Sequence, residues 1–331
     1  MEQSFEIDPL TKLAIRHGTN KWGPSFYTPI YHALFAHVRE RPIRLLEIGV
    51  GGYEFRKVGG ASLAMWADYF VHGRIVGIDI AEKDLDLGPR VTVLRGSQAD
   101  RQFLANVVAD HGPFDIIVDD GSHVPEHIVI SFGALFPTLV DGGFYAIEDV
   151  QTAFSPKFGG SPVDGGDTFN LAHTILQALN HAEIQAVSPD WQAPPISPQV
   201  RSFRAYHNLF IIEKGDNREP SIDRYDGENP HALRAIASFE QEVGQSPTPG
   251  GSALLAHMHS LGGRHQQALE TVEKALAIWP DNIRLLVWGA NIAARAGAPA
   301  IQRRYLDRAV KLDPDDAALR RLSDQAKAAT A

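Results

Sequence analysis

The sequence predicts an α/β fold: a mostly parallel sheet of about seven strands with helices on its faces, followed by a small all-α domain. Three observations predict it. Between residues 44 and 148, short runs of branched apolar residues alternate with amphipathic stretches, the pattern of successive βαβ units. The first run ends in a turn with glycines at 49, 51 and 52 and acids on either side. Towards the C-terminus, Ile278 and Leu312, Pro280 and Pro314, Asp281 and Asp315, and Ala256 and Ala290 recur 34 residues apart.

Strands are expected at 45–48, 75–78, 91–94, 114–118 and 144–147, each rich in branched residues, as strands buried on both faces require. Helices fill the gaps. The stretch QTAFSPKFGGSPVDGGDTFN holds four glycines and two prolines and reads as a loop, after which residues 168–180 read as a helix. Apolar runs at 184–187 and 209–212 are expected to extend the sheet as an antiparallel edge pair. The sheet domain then covers residues 41–215. Residues 216–248 form a linker with room for a helix over 232–243, and 249–331 hold the repeating segment. That segment, with Gly263 matching Gly297, resembles the tetratricopeptide repeat; two unrelated helical hairpins are the plainer alternative. Two repeats fall short of the roughly three of a free-standing solenoid, so a surface for homo-oligomer assembly or for docking a partner is expected there.

Composition narrows the function. A length of 331 residues suits about two domains of roughly 150 residues, and 44% hydrophobic with 21% charged residues is globular composition. The net charge of −9 disfavours nucleic acid and anionic lipid as partners. With no Cys, disulfides, Cys-held metals and thiol nucleophiles are excluded. The opening MEQSFEIDPLTKL lacks a basic region leading into an apolar one, so no secretory signal is expected. The longest apolar run, residues 128–140, contains Pro137 and is well short of the roughly 20 residues that cross a bilayer. A soluble, cytoplasmic protein is the expectation.

The first strand ends in LLEIGVGGYEF, where Gly49 and Gly51 let the backbone turn sharply and approach a ligand. A dinucleotide fingerprint would want a further glycine at 54, where Glu54 stands, against a pyrophosphate. Glu47 suits a cationic ligand such as the amino and sulfonium groups of S-adenosylmethionine. Asp79 closes the second strand in VGIDI, where a carboxylate can accept both ribose hydroxyls; Ser97 and Gln98 in GSQAD could address an adenine edge. The structural alternative makes Glu47 and Asp79 caps or ion pairs and the glycines mere shapers of a turn.

IIVDDGSHVPEH and FYAIEDVQTAF bring Asp119, Asp120, Glu148 and Asp149 to one edge of the sheet. Clustered acids raise one another's pKa unless a cation compensates, and a hard divalent ion with oxygen ligands, Mg2+ above all, does so. Asp120, Glu148 and Asp149 would supply three ligands and leave positions for water and two adjacent substrate hydroxyls. His123 could take the proton of the attacking hydroxyl, or else serve as a capping or ligating histidine. His127 reads as structural, and Asp119 as a residue backing the site or touching adenosine.

The strings LLEIGVGGYE, GGASLAMWADYF, VGIDI, VDDGSH and AIEDVQTAF, in this order, resemble the metal-dependent sugar O-methyltransferases of macrolide biosynthesis, of the mycinamicin and macrocin type, over residues 10–215. The resemblance implies a Rossmann-like class I methyltransferase sheet and an S-adenosylmethionine site on the first three strand ends, with Ser62 counted among its residues. It further implies Asp120, Glu148 and Asp149 on magnesium, His123 as base and a glycoside with vicinal hydroxyls as substrate. HGTNKWG and YTPIY resemble a segment that folds over the active site, so residues 1–40 are expected as a helical cover; Asn20 stands where that family more often has Asp. Glycines 159–166 are a candidate lid or a plain connection. Two rival functions remain: another metal-dependent reaction on the same sheet, such as hydroxylation, and a non-catalytic S-adenosylmethionine-binding repeat protein that recruits a partner.

Overall fold

The computed structural model describes residues 7–219 and 230–328, and these form two compact units. The first comprises the residues up to 181 together with 191–217; the second comprises 182–190 and the chain from 218 onward. No helix among the described residues is long and apolar enough to cross a membrane.

The first unit opens with α1 (Pro9–His17) and α2 (Thr28–Phe35). Asp8 caps α1 by accepting from the Thr11 backbone N–H, and Gly18 ends it at φ +71°, the left-handed cap that glycine adopts without strain. Five strands follow, with a helix in every gap but that between β2 and β3: β1 (Arg44–Ile48), α3 (Ala61–Tyr69), β2 (Arg74–Asp79), β3 (Val91–Arg95), α4 (Arg101–His111), β4 (Ile116–Asp119), α5 (Pro125–Leu135) and β5 (Phe144–Glu148). Helix α6 (Gly166–Leu179) and the hairpin of β6 (Val200–Tyr206) and β7 (Leu209–Lys214) complete it. The sheet order is β3-β2-β1-β4-β5-β7-β6. The first five strands are parallel; β7 runs antiparallel to β5, and β6 antiparallel to β7.

Side-chain alternation along the parallel strands builds two cores. Leu46, Ile48, Ile117, Tyr145 and Ile147 face one side with α4, α5 and α6. Leu45, Ile116, Val118, Phe144 and Ala146 face the other with α1, α2 and α3. Such two-sided burial explains why these strands read as unbroken apolar runs.

Two sequence expectations need correction here: the gap between β2 and β3, which contains Gly88-Pro89, holds no helix, and the sixth strand lies elsewhere. Residues 184–187 are not a strand but belong to helix α7 (His181–Val187), because a four-residue apolar run carries too little period to separate the two states. The sixth strand is instead β6, whose VRSFRAY mixes polar and apolar residues without a clean period, with a register shift between Val200 and Ser202, at the open edge of the sheet.

The second unit holds α8 (Pro230–Gln245), α9 (Pro249–Leu261), α10 (His265–Ile278), α11 (Ile283–Arg295), α12 (Pro299–Leu312) and α13 (Ala317–Ala328). Residues 220–229 of the expected linker lie outside the described residues, and α8 occupies much of the remainder. Ala253, Ala256, Val272, Leu286, Ala290 and Leu306 lie in its core. Gly289 packs against Val272 and the Tyr305 ring, where a Cβ would come within 2.8 Å of the valine.

Candidate active site

At the C-terminal edge of the parallel strands lies a cavity of about 780 Å³, within the roughly 300–1,000 Å³ typical of small-molecule sites. This is the edge at which open α/β sheets bind ligands. Gly49 shapes its floor. The residue sits at φ +94°, and a Cβ there would lie 2.1 Å from the Asp120 carbonyl oxygen. Its N–H donates to Ile78 O at 2.8 Å, while Asp120 N–H donates to Ile48 O at 2.9 Å. Only a residue without a side chain lets the tips of β1 and β4 approach so closely.

Of the residues singled out in the sequence, Gly49, Gly51, Ser62, Asp79, Ser97, Gln98, Asp120, His123 and Asp149 line the cavity. Asp79 is fixed in place: Oδ2 accepts from Val50 N–H at 3.0 Å and Oδ1 from Ala81 N–H at 2.8 Å. Ser97 Oγ accepts from Ala99 N–H. Gln98 is largely committed to the protein, since Oε1 accepts from Ser122 N–H at 2.7 Å and Nε2 donates to Asp119 at 3.1 Å. His127 also lines the cavity, its Nδ1 2.9 Å from Ser122 Oγ.

Three of the expected site acids do not reach the cavity wall, and strand alternation is the reason. Asp119, in register with Ile117 on β4, turns towards α5 and β5, where it accepts from Ser131 Oγ at 2.6 Å and Tyr145 O–H at 3.1 Å. Burial raises its carboxyl pKa, against which these hydroxyls and Gln98 act. Glu47 and Glu148 point to the opposite face, towards the N-terminal segment. Glu148 is 2% exposed, with Oε1 accepting from Tyr31 O–H at 2.7 Å and Oε2 from Lys21 Nζ at 2.7 Å. Glu47 is fully buried, its Oε1 3.0 Å from Lys21 Nζ.

Asp149 escapes the alternation. It adopts φ +52° just past β5, and His123 adopts φ +58° just past β4. A left-handed backbone is costly for residues with a Cβ and clusters where function demands it. The result turns both side chains into the cavity, with His123 Nε2 3.8 Å from Asp149 Oδ2. Asp120, His123 and Asp149 each offer a ligand atom, all within 4.8 Å of one another. The Phe158 ring meets His123 edge-on at 6.0 Å. The glycine-rich stretch does not line the cavity; Ser161 N–H is tied to Ala153 O at 2.8 Å and Gly165 N–H to Ser161 O at 2.9 Å.

Three residues beside the site were not singled out individually in the sequence, although HGTNKWG and YTPIY contain them: Lys21, Tyr27 and Tyr31. Lys21 contacts Glu47, Asp120 and Glu148 at 3.0, 2.9 and 2.7 Å. Tyr27 O–H donates to Asp149 Oδ1 at 2.8 Å. The two tyrosines stand four residues apart in YTPIY, one helical turn, which puts both hydroxyls on one face; that spacing was the available signal. Burial pulls the Lys21 pKa down, but the three carboxylates outweigh it and hold the ammonium well above its usual range. Burial pushes the Glu148 carboxyl up to about 8, with Lys21 opposing and Asp120 adding to the rise. One ammonium thus serves three carboxylates, Glu47, Asp120 and Glu148, while Asp149 is held by Tyr27 instead. Asp120 and Asp149 offer the carboxylate oxygens that a hard divalent cation takes, with the His123 imidazole beside them.

No family model matches the chain. It is 43% identical over 218 residues to the 8-demethyl-8-(2-methoxy-alpha-L-rhamnosyl)-tetracenomycin-C 3'-O-methyltransferase of Streptomyces olivaceus, covering 64% of this chain and 55% of that one. It is 40% identical over 234 residues to the demethylmacrocin O-methyltransferase of Streptomyces fradiae, covering 69% and 59%. Among solved structures, the MycE methyltransferase of the mycinamycin pathway in complex with Mg, SAH and mycinamycin VI superposes with a TM-score of 0.62 at 35% identity, over 70% of this chain and 59% of that one. The chain therefore spans between half and three fifths of the length of these relatives. Over that shared part, its sequence and its seven-stranded sheet are similar to those of sugar O-methyltransferases with a class I methyltransferase fold.

Proposed function

We propose that this chain is an O-methyltransferase that uses S-adenosylmethionine and a divalent metal, Mg2+ first, to methylate a sugar hydroxyl of a glycoside. The observation that carries the reading is the convergence of Asp120, His123 and Asp149 on the wall of a glycine-floored cavity at the strand ends. The similarity to methyltransferases named for rhamnosyl and macrocin substrates supports the glycoside, as does a solved relative holding mycinamycin VI.

In this reading Asp79, locked by two backbone N–H groups, presents its remaining lone pairs to the ribose hydroxyls of the cofactor, and Gly49 and Gly51 admit the cofactor to the backbone. Asp120 and Asp149 would hold the metal, with Glu148 and Lys21 behind them. When bound, a divalent ion supplies Lewis acidity that orients two adjacent hydroxyls and makes one easier to deprotonate. His123 Nε2 accepts the proton of the acceptor hydroxyl, and Asp149 at 3.8 Å stabilises the imidazolium that results. Phe158 limits the swing of the His123 ring. The cavity walls hold donor and acceptor in one pose, a placement that can contribute roughly 7–11 kcal/mol to the rate.

For the second unit we propose a pair of tetratricopeptide-like repeats acting as an assembly or docking surface. Helices α9 and α11 start at residues 249 and 283, and α10 and α12 at 265 and 299, each pair 34 apart. Gly263 and Gly297 share a left-handed backbone at φ +73° and +65° in the intervening turns. Light scattering of the full chain measures the assembly.

The deciding assay combines purified protein, labelled S-adenosylmethionine, Mg2+ and a panel of glycosides with vicinal hydroxyls. Transfer of label that a chelator abolishes is the expected result. No calorimetric binding of S-adenosylhomocysteine would remove the proposal.

A further inference from the structure

Lys21 is 1% exposed, one of the largest fully buried side chains among the described residues. Its Nζ lies within 3.0 Å of oxygens from three acids on three strand ends: Glu47, Asp120 and Glu148. A charge so placed costs a great deal unless it is paired, so its location is a commitment of the fold. The cavity wall includes Asp120 but not Lys21, so the ammonium stands behind the carboxylate, on the protein side. The same segment grips the neighbouring acids through Tyr31 on Glu148 and Tyr27 on Asp149.

We propose that Lys21 is a positioning residue for the metal site: it holds Asp120 by Oδ2 and Glu148 by Oε2, fixing the direction from which Asp120 faces the ion. The proposal rests on the metal reading given above. A rival role is a stand-in cation that competes with the metal. The geometry disfavours it, because a competitor would sit among Asp120, His123 and Asp149, whereas two of Lys21's three partners, Glu47 and Glu148, lie off the cavity wall.

The two roles predict opposite signs. A competing ammonium repels a divalent ion, so its removal tightens binding. Removal of a positioning ammonium lets the ligand swing and weakens binding, by about 10–100-fold for residues that orient metal ligands.

The test is Mn2+ titration of the full-length protein, followed by electron paramagnetic resonance and calorimetry, for wild type and Lys21→Met. Expected are Mn2+ affinity reduced ~10–100-fold, a broadened Mn2+ signal, and S-adenosylhomocysteine affinity retained. Equal or tighter Mn2+ binding by Lys21→Met overturns the proposal while leaving the metal reading intact; absence of Mn2+ binding by the wild type overturns both. Should Lys21→Met not fold, hydrogen exchange on the wild type decides. Mn2+ slows exchange of the amides over residues 19–31 if this segment holds the ligands, and unchanged exchange there refutes the role.

Discussion

Gly49→Ala tests whether the approach of the β1 and β4 tips builds the site. The added methyl carbon would lie 2.1 Å from the Asp120 carbonyl oxygen and 2.8 Å from its carbon, both backbone atoms, so no side chain can move aside to make room. The backbone at φ +94° adds roughly 1–2 kcal/mol of strain for a residue with a Cβ. Parting the tips weakens the Asp120 N–H to Ile48 O bond of 2.9 Å, for about 0.5–1.5 kcal/mol more. The sum is roughly 1.5–3.5 kcal/mol, and at about 2–4 °C per kcal/mol for a domain of this size the melting temperature falls by roughly 3–14 °C. Because Asp120 must shift, Mn2+ affinity falls with it. Gly51→Ala is the comparison: φ is +74° with nothing within 4 Å of the new carbon, so it incurs the strain alone. Differential scanning calorimetry and Mn2+ titration of both variants give the answer. If Gly49→Ala melts and binds Mn2+ no worse than Gly51→Ala, the close approach does not shape the site and the reasoning fails.

Three further outcomes are expected. His123→Gln lowers turnover about 10²–10⁴-fold, the contribution of a general base, with S-adenosylhomocysteine affinity preserved in calorimetry; equal losses in both would make the residue structural. Glu148, with its carboxyl pushed up from 4.5 to about 8, binds its proton more tightly folded than unfolded. The stability it contributes is therefore complete below pH 4.5 and is lost as pH rises towards 8; urea unfolding of metal-free protein checks this, with Glu148→Gln flattening that part of the profile. Mn2+ or Mg2+ at a hundred times its dissociation constant stabilises the wild type by about 2.7 kcal/mol, a gain that Asp149→Asn abolishes in a thermal melt.

Strands β1, β2, β4 and β5 were legible because burial on both faces writes an apolar run for each, and β3, an edge strand with no buried residue, by its branched VTVL. The opposite edge was not. In β6 the arginines at 201 and 204 interrupt the hydrophobic signal because that strand buries only part of its surface, and the short run in α7 mimicked what β6 lacked. At the site, the sequence placed the acids at the correct strand ends but not their directions. Whether a carboxylate faces the cavity depends on strand parity and on a left-handed backbone at His123 and Asp149, and neither is visible in residue type alone. Lys21 was invisible for a different reason: lysines are almost never fully buried, and its partners Asp120 and Glu148 lie 99 and 127 residues away in sequence.

The Tyr27 hydroxyl, which donates to Asp149, also reaches the Asn208 carbonyl, 181 positions further along the chain. The start of helix α2 and the β6–β7 hairpin near the end of the first unit therefore meet at one hydroxyl, beside the Asp149 carboxylate. During vectorial synthesis, a nascent fragment that stops before Asn208 lacks one of the two acceptors of this hydroxyl. The full arrangement around Tyr27 therefore requires the final hairpin to have been made.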